Sequence, residues 1–154
     1  MPVLVSGIPT CYVATTNDGD LCYVQWLIIS TGQELIRPFF KGQLKFFPAD
    51  TVLLEFAYTF ERFRGLGIMS AAMAQIAERG IELGARSAIT YVAHRNIASL
   101  KGCARAGFLP FMLRYEKWRA FRLSQKFTNL PDGFSYPFES RDQSGKGHLS
   151  HAPV

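Results

Sequence analysis

Cysteine and long apolar runs are both scarce in this chain of 154 residues, and each scarcity excludes a class of protein. The three cysteines, Cys11, Cys22 and Cys103, are too few and too scattered for a disulfide framework or a zinc site. Their number favours a reducing, cytoplasmic setting. No apolar run approaches the roughly 20 residues that span a bilayer, and residues 1–4 show no start of a secretory signal. The sequence therefore predicts a cytoplasmic protein without a membrane partner.

Charged residues are also few, at 19% of the chain against 48% hydrophobic residues, as in a globular domain. We expect one domain over residues 1–128 and a polar, poorly ordered tail over residues 129–154. The tail's His148 and His151 do not suggest a metal pair, and no metal is predicted. The net charge of +5 suits nucleic acid or an anionic nucleotide cofactor. No basic helix, zinc-finger spacing or RNA-binding aromatic motif accompanies it, so nucleic acid is the weaker expectation.

The stretch from Thr51 to Leu83 organises the chain as strand, glycine turn and helix. Residues 51–60 are β-branched and aromatic, which predicts a strand over Thr51–Thr59. Residues 69–83 are rich in Ala, Met, Glu and Gln, with apolar residues near helical spacing, and Gly84 is a natural helix cap. Between the two elements, Gly65 and Gly67 leave the backbone without Cβ atoms where the strand turns into the helix.

A helix that begins in this way suits phosphate. Its first N–H groups have no partner inside the helix, and the peptide dipoles place partial positive charge there. A glycine-rich entry lets a phosphate approach these amides, and Arg62 and Arg64 add positive charge at the mouth. An ordinary strand-to-helix turn would show the same glycines.

The run Arg64-Gly65-Leu66-Gly67-Ile68 resembles the acyl-CoA pyrophosphate loop of the GNAT superfamily of N-acyltransferases, whose pattern is Arg/Gln-x-x-Gly-x-Gly/Ala. Two registers fit: Arg62, Gly65 and Gly67, or Arg64, Gly67 and Met69, of which we favour the second. The resemblance implies acetyl-CoA or another acyl-CoA as co-substrate. Its pyrophosphate would be bound by Arg64, Gly65, Leu66, Gly67, Ile68, Met69 and Ser70.

Earlier in the chain, two strands over Cys11–Thr16 and Leu21–Ser30 flank an Asp-Gly pair. We expect a type I′ hairpin turn at Asp18-Gly19, because glycine tolerates the positive φ that this turn requires. In that register Cys11 lies across from Trp26, and Cys22 lies across from Thr15. Residues 31–48 are interpreted as a loop with a short strand near 43–47 and core aromatics, namely Phe39, Phe40, Phe46 and Phe47.

In the GNAT resemblance the hairpin corresponds to the family's second and third strands and Thr51–Thr59 to its fourth. Residues 87–93 would be the fifth, parallel to the fourth, with the sheet splayed between them to admit the cofactor. The implied fold is α/β (α+β): a mixed, mostly antiparallel sheet, a central pyrophosphate-binding helix and a second helix after the fifth strand. Two final strands are expected at 111–118 and 121–127. The family's N-terminal helices are expected to be missing, and a second subunit of a homodimer is one way to complete the acceptor groove.

A second motif follows the fifth strand. Residues 96–108 match the family's Asn-x-x-Ala/Ser, helix, Gly-Phe pattern residue for residue. Asn96 is a competent N-cap for that helix, and Gly107 can close it. The resemblance implies that Asn96 and Ser99 contact the cofactor, and that the main chain of Ala57, Tyr58 and Thr59 pairs with its pantetheine arm.

Two residues are candidates for proton transfer. Glu55 lies four residues before Thr59, so strand alternation places both on one face, and a buried carboxylate there could accept the proton of an incoming amine. Cys103 stands where many members of the family carry a Tyr that protonates the leaving thiolate. A thiol could do so less well, or Cys103 is only a small buried residue and water supplies the proton.

The sequence thus predicts an N-acetyltransferase of the GNAT type that moves an acetyl or other acyl group from acyl-CoA to a primary amine of a small molecule or protein. Two alternatives stand beside it. One is a non-catalytic acyl-CoA-binding or regulatory module of the same fold, and the other is a basic nucleic-acid-binding domain.

Overall fold

The computed structural model describes residues 10–38, 47–119, 122–136 and 138, with the backbone alone for residues 118, 119, 122 and 123. The chain divides into two compact units. The first comprises Met1–Tyr91 with Gly102–Phe108, and the second comprises Val92–Lys101 with Leu109–Val154. The elements in chain order are β1 Thr10–Thr15, β2 Leu21–Ile29, α1 Gln33–Ile36, β3 Thr51–Thr59, α2 Ile68–Glu82, β4 Ser87–Ile89, α3 Ile97–Arg105, β5 Met112–Arg119 and β6 Arg122–Asn129.

The first unit contains a mixed sheet in the order β1-β2-β3-β4. β2 runs antiparallel to β1 and β3, whereas β4 is parallel to β3 and joined to it through α2. Strand–helix–strand across a parallel pair is the connection expected for a crossover. The predicted mixed sheet with its central helix is therefore confirmed.

The β1–β2 hairpin closes differently from the prediction. Gly19 N–H donates to Thr16 O, and Gly19 alone in the loop has positive φ, at 89°. The turn is therefore centred on residues 17–18, with the glycine after it in the left-handed region, and the predicted type I′ turn at Asp18-Gly19 is wrong.

The hairpin register agrees with the prediction at one end only. Cys11 pairs with Trp26 as expected, but Thr15 pairs with Leu21, because the register shifts between Ala14 and Thr15. The prediction that Cys22 lies across from Thr15 is wrong, since Cys22 is the extra residue at this irregularity.

Apolar side chains cover both faces of the sheet. On one face α2 contributes the buried Met73 and Ile76, and its Gly80 lies so close to β3 that a Cβ there would be 2.7 Å from a methyl group of Val52. On the other face a cluster forms from Ile28, Ile36, Phe47 and Leu53. The segment interpreted as a loop over residues 31–48 therefore contains the short helix α1, and Phe47 is in the core as predicted. Residues 39–46, and with them all of the strand predicted near 43–47 except Phe47, lie outside the described residues.

Two glycines end the longer helices. Gly84 and Gly107 have φ of 86° and 89°, and the residues after them, Ala85 and Phe108, donate back to Gly80 O and Cys103 O. Glycine adopts this left-handed conformation without a Cβ penalty. Both predicted helix ends are confirmed.

In the second unit, β5 and β6 form an antiparallel pair from Met112↔Asn129 to Arg119↔Arg122, which confirms the two final strands. Tyr136 stacks on Phe138 at 4.9 Å between ring centroids, and Lys101 Nζ lies 5.6 Å from the Phe138 ring. Most of the predicted tail after residue 129 lies outside the described residues. Within the described part of the chain, no helix is long and apolar enough to cross a membrane.

Candidate functional site

The start of α2 is the first part of the candidate site. Gly67 is its N-cap residue with φ 77°, Gly65 before it has φ 79°, and no side chain caps the helix. A Cβ at either glycine would meet no atom within 4 Å, so the left-handed backbone and not crowding requires glycine here. The sequence prediction of a glycine entry to the helix over residues 69–83 is confirmed.

Six consecutive N–H groups at this turn have no acceptor in the described part of the chain: those of residues 65–70. The first intrahelical bond is donated by Ala71 to Gly67 O. The first turn of α2 carries no acidic residue that would compete with an anion. Unpaired amides with the positive end of a helix dipole fit a phosphate or pyrophosphate group.

Arginines surround this turn. Arg64 donates from Nε to Thr59 O at 3.1 Å, and its guanidinium lies 5.7 Å from the Tyr58 ring, so it ties the turn to the end of β3. Arg62 pairs with Asp20 at 3.1 Å. Both arginines are exposed.

A third arginine was not predicted from the sequence. Arg105, in the last turn of α3, donates from Nε to Ser70 Oγ at 3.4 Å and so places a cation at the first turn of α2. The signal was weak, because a basic residue near a helix C-terminus is common for reasons of the dipole alone. The contact joins residues 35 positions apart, which no local pattern predicts.

Met69 stands where the favoured motif register has a small residue, and its side chain packs against α3. A Cβ on Gly102 would lie 2.9 Å from Met69 Sδ. The space for the large residue on α2 is therefore provided by a glycine on the neighbouring helix.

β3 contains a bulge that changes which side chains share a face. Phe56 has φ 56°, the one described non-glycine residue with positive φ, and the β2–β3 register shifts at this point. Thr59 pairs with Tyr23 and Glu55 pairs with Trp26, so the two β3 residues lie across from β2 positions of opposite faces. The prediction that Glu55 and Thr59 share a face is wrong, because the extra residue breaks the alternation between them.

The pairing of β3 with β4 stops early. Its three pairs run from Thr51↔Ser87 to Leu53↔Ile89, so β4 ends four residues before the strand predicted to reach Ala93. Two residues further on, the N–H of Tyr91 donates to Glu55 Oε1 at 2.9 Å. The strands therefore separate beside Glu55, as the splayed sheet of the resemblance requires, and Ala57 and Tyr58 beyond it are exposed.

Cys103 is buried, with 3% of its surface exposed, and its Sγ lies 3.9 Å from Met73 Sδ. Burial raises the pKa of this thiol to about 11, and the charge of Glu55 contributes to the increase. The thiol therefore stays protonated at neutral pH. Its burial against Met73 is the geometry of the small packed residue that the sequence left open as the alternative to a proton donor.

Asn96 and Ser99 belong to the second unit. The Asn96 side chain accepts the N–H of Ser99 at 3.2 Å, and its carbonyl accepts that of Leu100. Asn96 is therefore the N-cap of α3, as predicted. Its contact with a cofactor stays a prediction. Among the described residues, no group of three or more His, Cys, Asp or Glu side chains could hold a metal ion.

Comparison with known proteins identifies the fold. No protein-family model and no curated protein matches the chain. Among solved structures, AAC(6')-Iy, an aminoglycoside N-acetyltransferase in complex with the bisubstrate analogue CoA-S-monomethyl-acetylneamine, is 17% identical with a TM-score of 0.53 over 70% of this chain and 67% of that chain. A protein provisionally assigned as a phosphinothricin N-acetyltransferase is 20% identical with a TM-score of 0.51, over 79% and 72%.

Both similar structures are GNAT members, and at these identities the likeness concerns the fold. The two sequence motifs, at residues 64–68 and 96–108, independently imply the same fold. The chain has the GNAT fold, with its mixed sheet and central helix.

Proposed function

We propose that the protein is an N-acyltransferase that moves an acetyl or other acyl group from acyl-CoA to a primary amine. The observation that carries the proposal is the row of six unpaired amides over residues 65–70, which opens α2 without a side-chain cap. The GNAT fold and the CoA analogue bound to one similar structure support the same conclusion.

In this proposal the amides of residues 65–70 hold the pyrophosphate, with Arg64 and Arg105 adding positive charge at its edge. Acyl-CoA supplies an activated thioester. The exposed end of β3 at Ala57 and Tyr58 orients the pantetheine arm by main-chain pairing, and holding the reactants together supplies most of the acceleration.

The chemical step forms an N–C bond and breaks the C–S bond. The amine loses one proton, which the Glu55 carboxylate accepts or which passes to water. The thiolate gains one proton from water or, if the buried thiol becomes accessible, from Cys103. A thiol with pKa about 11 is a weak acid for this purpose.

Calorimetry with acetyl-CoA and longer acyl-CoAs, followed by a thiol-release screen against amines, peptides and aminoglycosides, tests the proposal. Gly67→Ala and Gly84→Ala form a matched pair, because both positions have left-handed φ and room for a Cβ. Both substitutions should cost about 1 kcal/mol of stability, but only the first should weaken CoA binding. Equal CoA affinity in the two variants would contradict the proposal.

A second candidate function is a non-catalytic acyl-CoA-binding module. It is favoured by the burial of Cys103 and by the engagement of Glu55 Oε1 with Tyr91. It predicts CoA binding that depends on Gly67 but no thiol release with any amine. Turnover of a single amine that disappears in Gly67→Ala would exclude it.

A further inference from the structure

The carboxylate of Glu55 occupies a place that a main-chain carbonyl holds in an unbroken parallel ladder. The three β3–β4 pairs share one offset along the chain, and the same offset makes Tyr91 the register partner of Glu55. The N–H of Tyr91 donates to Glu55 Oε1 at 2.9 Å. A bond to a side chain thus replaces the ladder bond at the position where the strands separate.

This replacement constrains the spacing of the two main chains. Paired strands lie about 4.8 Å apart, with their N–H and C=O groups in direct contact. A glutamate carboxyl group extends three bonds beyond its Cα, and it can take the amide only where the carbonyls of β3 have withdrawn. The bond is therefore compatible with separated strands and not with a closed ladder.

Both ends of the bridge are fixed independently. Tyr91 packs, partly buried, against the cluster that contains Ile28 and Leu53. Glu55 directly precedes Phe56, whose left-handed backbone bends β3 at the bulge. The carboxylate therefore links two segments whose courses are set by their own packing, and it defines the gap between them.

We infer that Glu55 is a positioning residue that holds β3 and the segment after β4 apart, and so keeps open the slot that receives the pantetheine arm of acyl-CoA. The identity of the occupant rests on the proposed function, whereas the bridge itself does not. This role needs an acceptor oxygen at the right reach. A base would instead need a carboxylate that can take up a proton.

Three substitutions of Glu55 separate the effect of its side-chain length from the effect of its charge. Glu55→Gln keeps an acceptor oxygen at the same reach without the charge, Glu55→Asp keeps the charge but is one methylene shorter, and Glu55→Ala removes both. Glu78→Ala, on the exposed surface of α2, is the control for loss of a carboxylate elsewhere. Two quantities are measured: the Kd for CoA by calorimetry, and the hydrogen-exchange rate of the Tyr91 amide by NMR.

We expect Glu55→Gln and Glu78→Ala to match the unsubstituted protein within about threefold in both quantities. Glu55→Asp and Glu55→Ala should raise the CoA Kd and the Tyr91 exchange rate by roughly tenfold, as expected for loss of one partly buried hydrogen bond. The inference is overturned if Glu55→Asp protects Tyr91 and binds CoA like the unsubstituted protein. It is also overturned if the Tyr91 amide loses protection while CoA affinity is unchanged.

The same experiment separates this inference from the proposed function. Failure of the unsubstituted protein to bind any acyl-CoA refutes the proposed function, and the exchange rate of Tyr91 in the Gln and Asp variants then decides alone whether Glu55 forms the bridge. Glu55→Gln is close in shape to the native residue, so the comparison survives even if Glu55→Ala does not fold.

Discussion

The two longer helices begin in opposite ways. α3 starts with Asn96, whose side chain accepts the N–H of Ser99 and whose carbonyl accepts that of Leu100. α2 starts with Gly67 in a left-handed conformation and has no side-chain cap. The start of α3 satisfies its own backbone N–H groups, whereas the start of α2 leaves its N–H groups without protein acceptors among the described residues.

This difference has an energetic meaning. An Asn cap stabilises a helix by about 1 kcal/mol relative to Ala. A glycine cap is only a few tenths of a kcal/mol less stabilising than Asn, and it leaves the N–H groups accessible. A helix start without a capping side chain can receive its hydrogen bonds from an anionic ligand. The comparison supports the proposal that the start of α2 binds an anionic ligand, whereas the start of α3 is satisfied by its own cap.

The largest expected effect comes from giving α2 a cap of its own. Gly67→Asp places a carboxylate where it accepts the open amides and repels phosphate. We expect the CoA Kd to rise by roughly 100-fold, since both charge and hydrogen bonds now oppose the ligand. Calorimetry measures it. Gly84→Asp, at the other end of α2, has similar backbone strain and should leave the Kd within about threefold. A Gly67→Asp protein that binds CoA normally would break the comparison.

A second prediction concerns the packed face of α3. The pKa of the Cys103 thiol is raised to about 11, so the folded state holds this proton more tightly than the unfolded chain, where it is about 8.5. Its contribution to stability is complete below the unfolded pKa and is lost as pH rises through about 11.

Urea unfolding at pH 8 and pH 11 measures this contribution. Cys103→Ala should lose less stability than the native chain between these pH values, because the alanine side chain carries no titrating proton. The same pH dependence in both proteins would show that Cys103 does not titrate in this way.

A third prediction removes the cap of α3. Asn96→Ala should lower the free energy of unfolding by about 1 kcal/mol, measured in urea, whereas Asn96→Asp retains an acceptor and should lower it less. The resemblance implies that Asn96 contacts the cofactor, so Asn96→Ala should also weaken CoA binding. An unchanged free energy of unfolding would contradict the capping role.

The smallest effect is expected at Arg105. Arg105→Ala removes an exposed charge near the start of α2, so the CoA Kd should rise by roughly threefold at low salt and less at high salt. Arg79→Ala, an exposed arginine paired with Glu82 near the far end of α2, is the control and should change the Kd less. Equal effects of the two substitutions would show that position does not matter.

Apart from α1, the sequence predicted the order of the described strands and helices, because each depends on local patterns. Residues 51–59 are β-prone, Gly84 and Gly107 are helix-ending glycines, and Asn96 is an N-cap residue, so each signal lies next to the structure that it predicts. The two motifs, at residues 64–68 and 96–108, predicted how these elements combine into the GNAT fold. The sequence favoured the register Arg64, Gly67 and Met69, and the positive φ of both Gly65 and Gly67 does not distinguish it from the other register.

The sequence failed where a long-range contact overrides a local rule. Nothing in the sequence around Phe56 predicts its left-handed conformation, which costs a non-glycine residue about 1–3 kcal/mol. The alternation rule therefore placed Glu55 and Thr59 on one face. The contacts of Glu55 with Tyr91 and of Arg105 with Ser70 span 36 and 35 positions. Both of these contacts depend on how the strands and helices pack.

The proposal that the amides at the start of α2 bind the pyrophosphate of CoA has a direct test. The isotope-labelled protein is titrated with CoA, and the backbone amide resonances are followed. We expect the amides of residues 65–70 to shift strongly as their N–H groups gain phosphate acceptors, while the Arg79 amide, near the C-terminal end of α2, shifts little. Resonances of residues 65–70 that do not move at saturating CoA, or no saturation at all, would contradict the proposal.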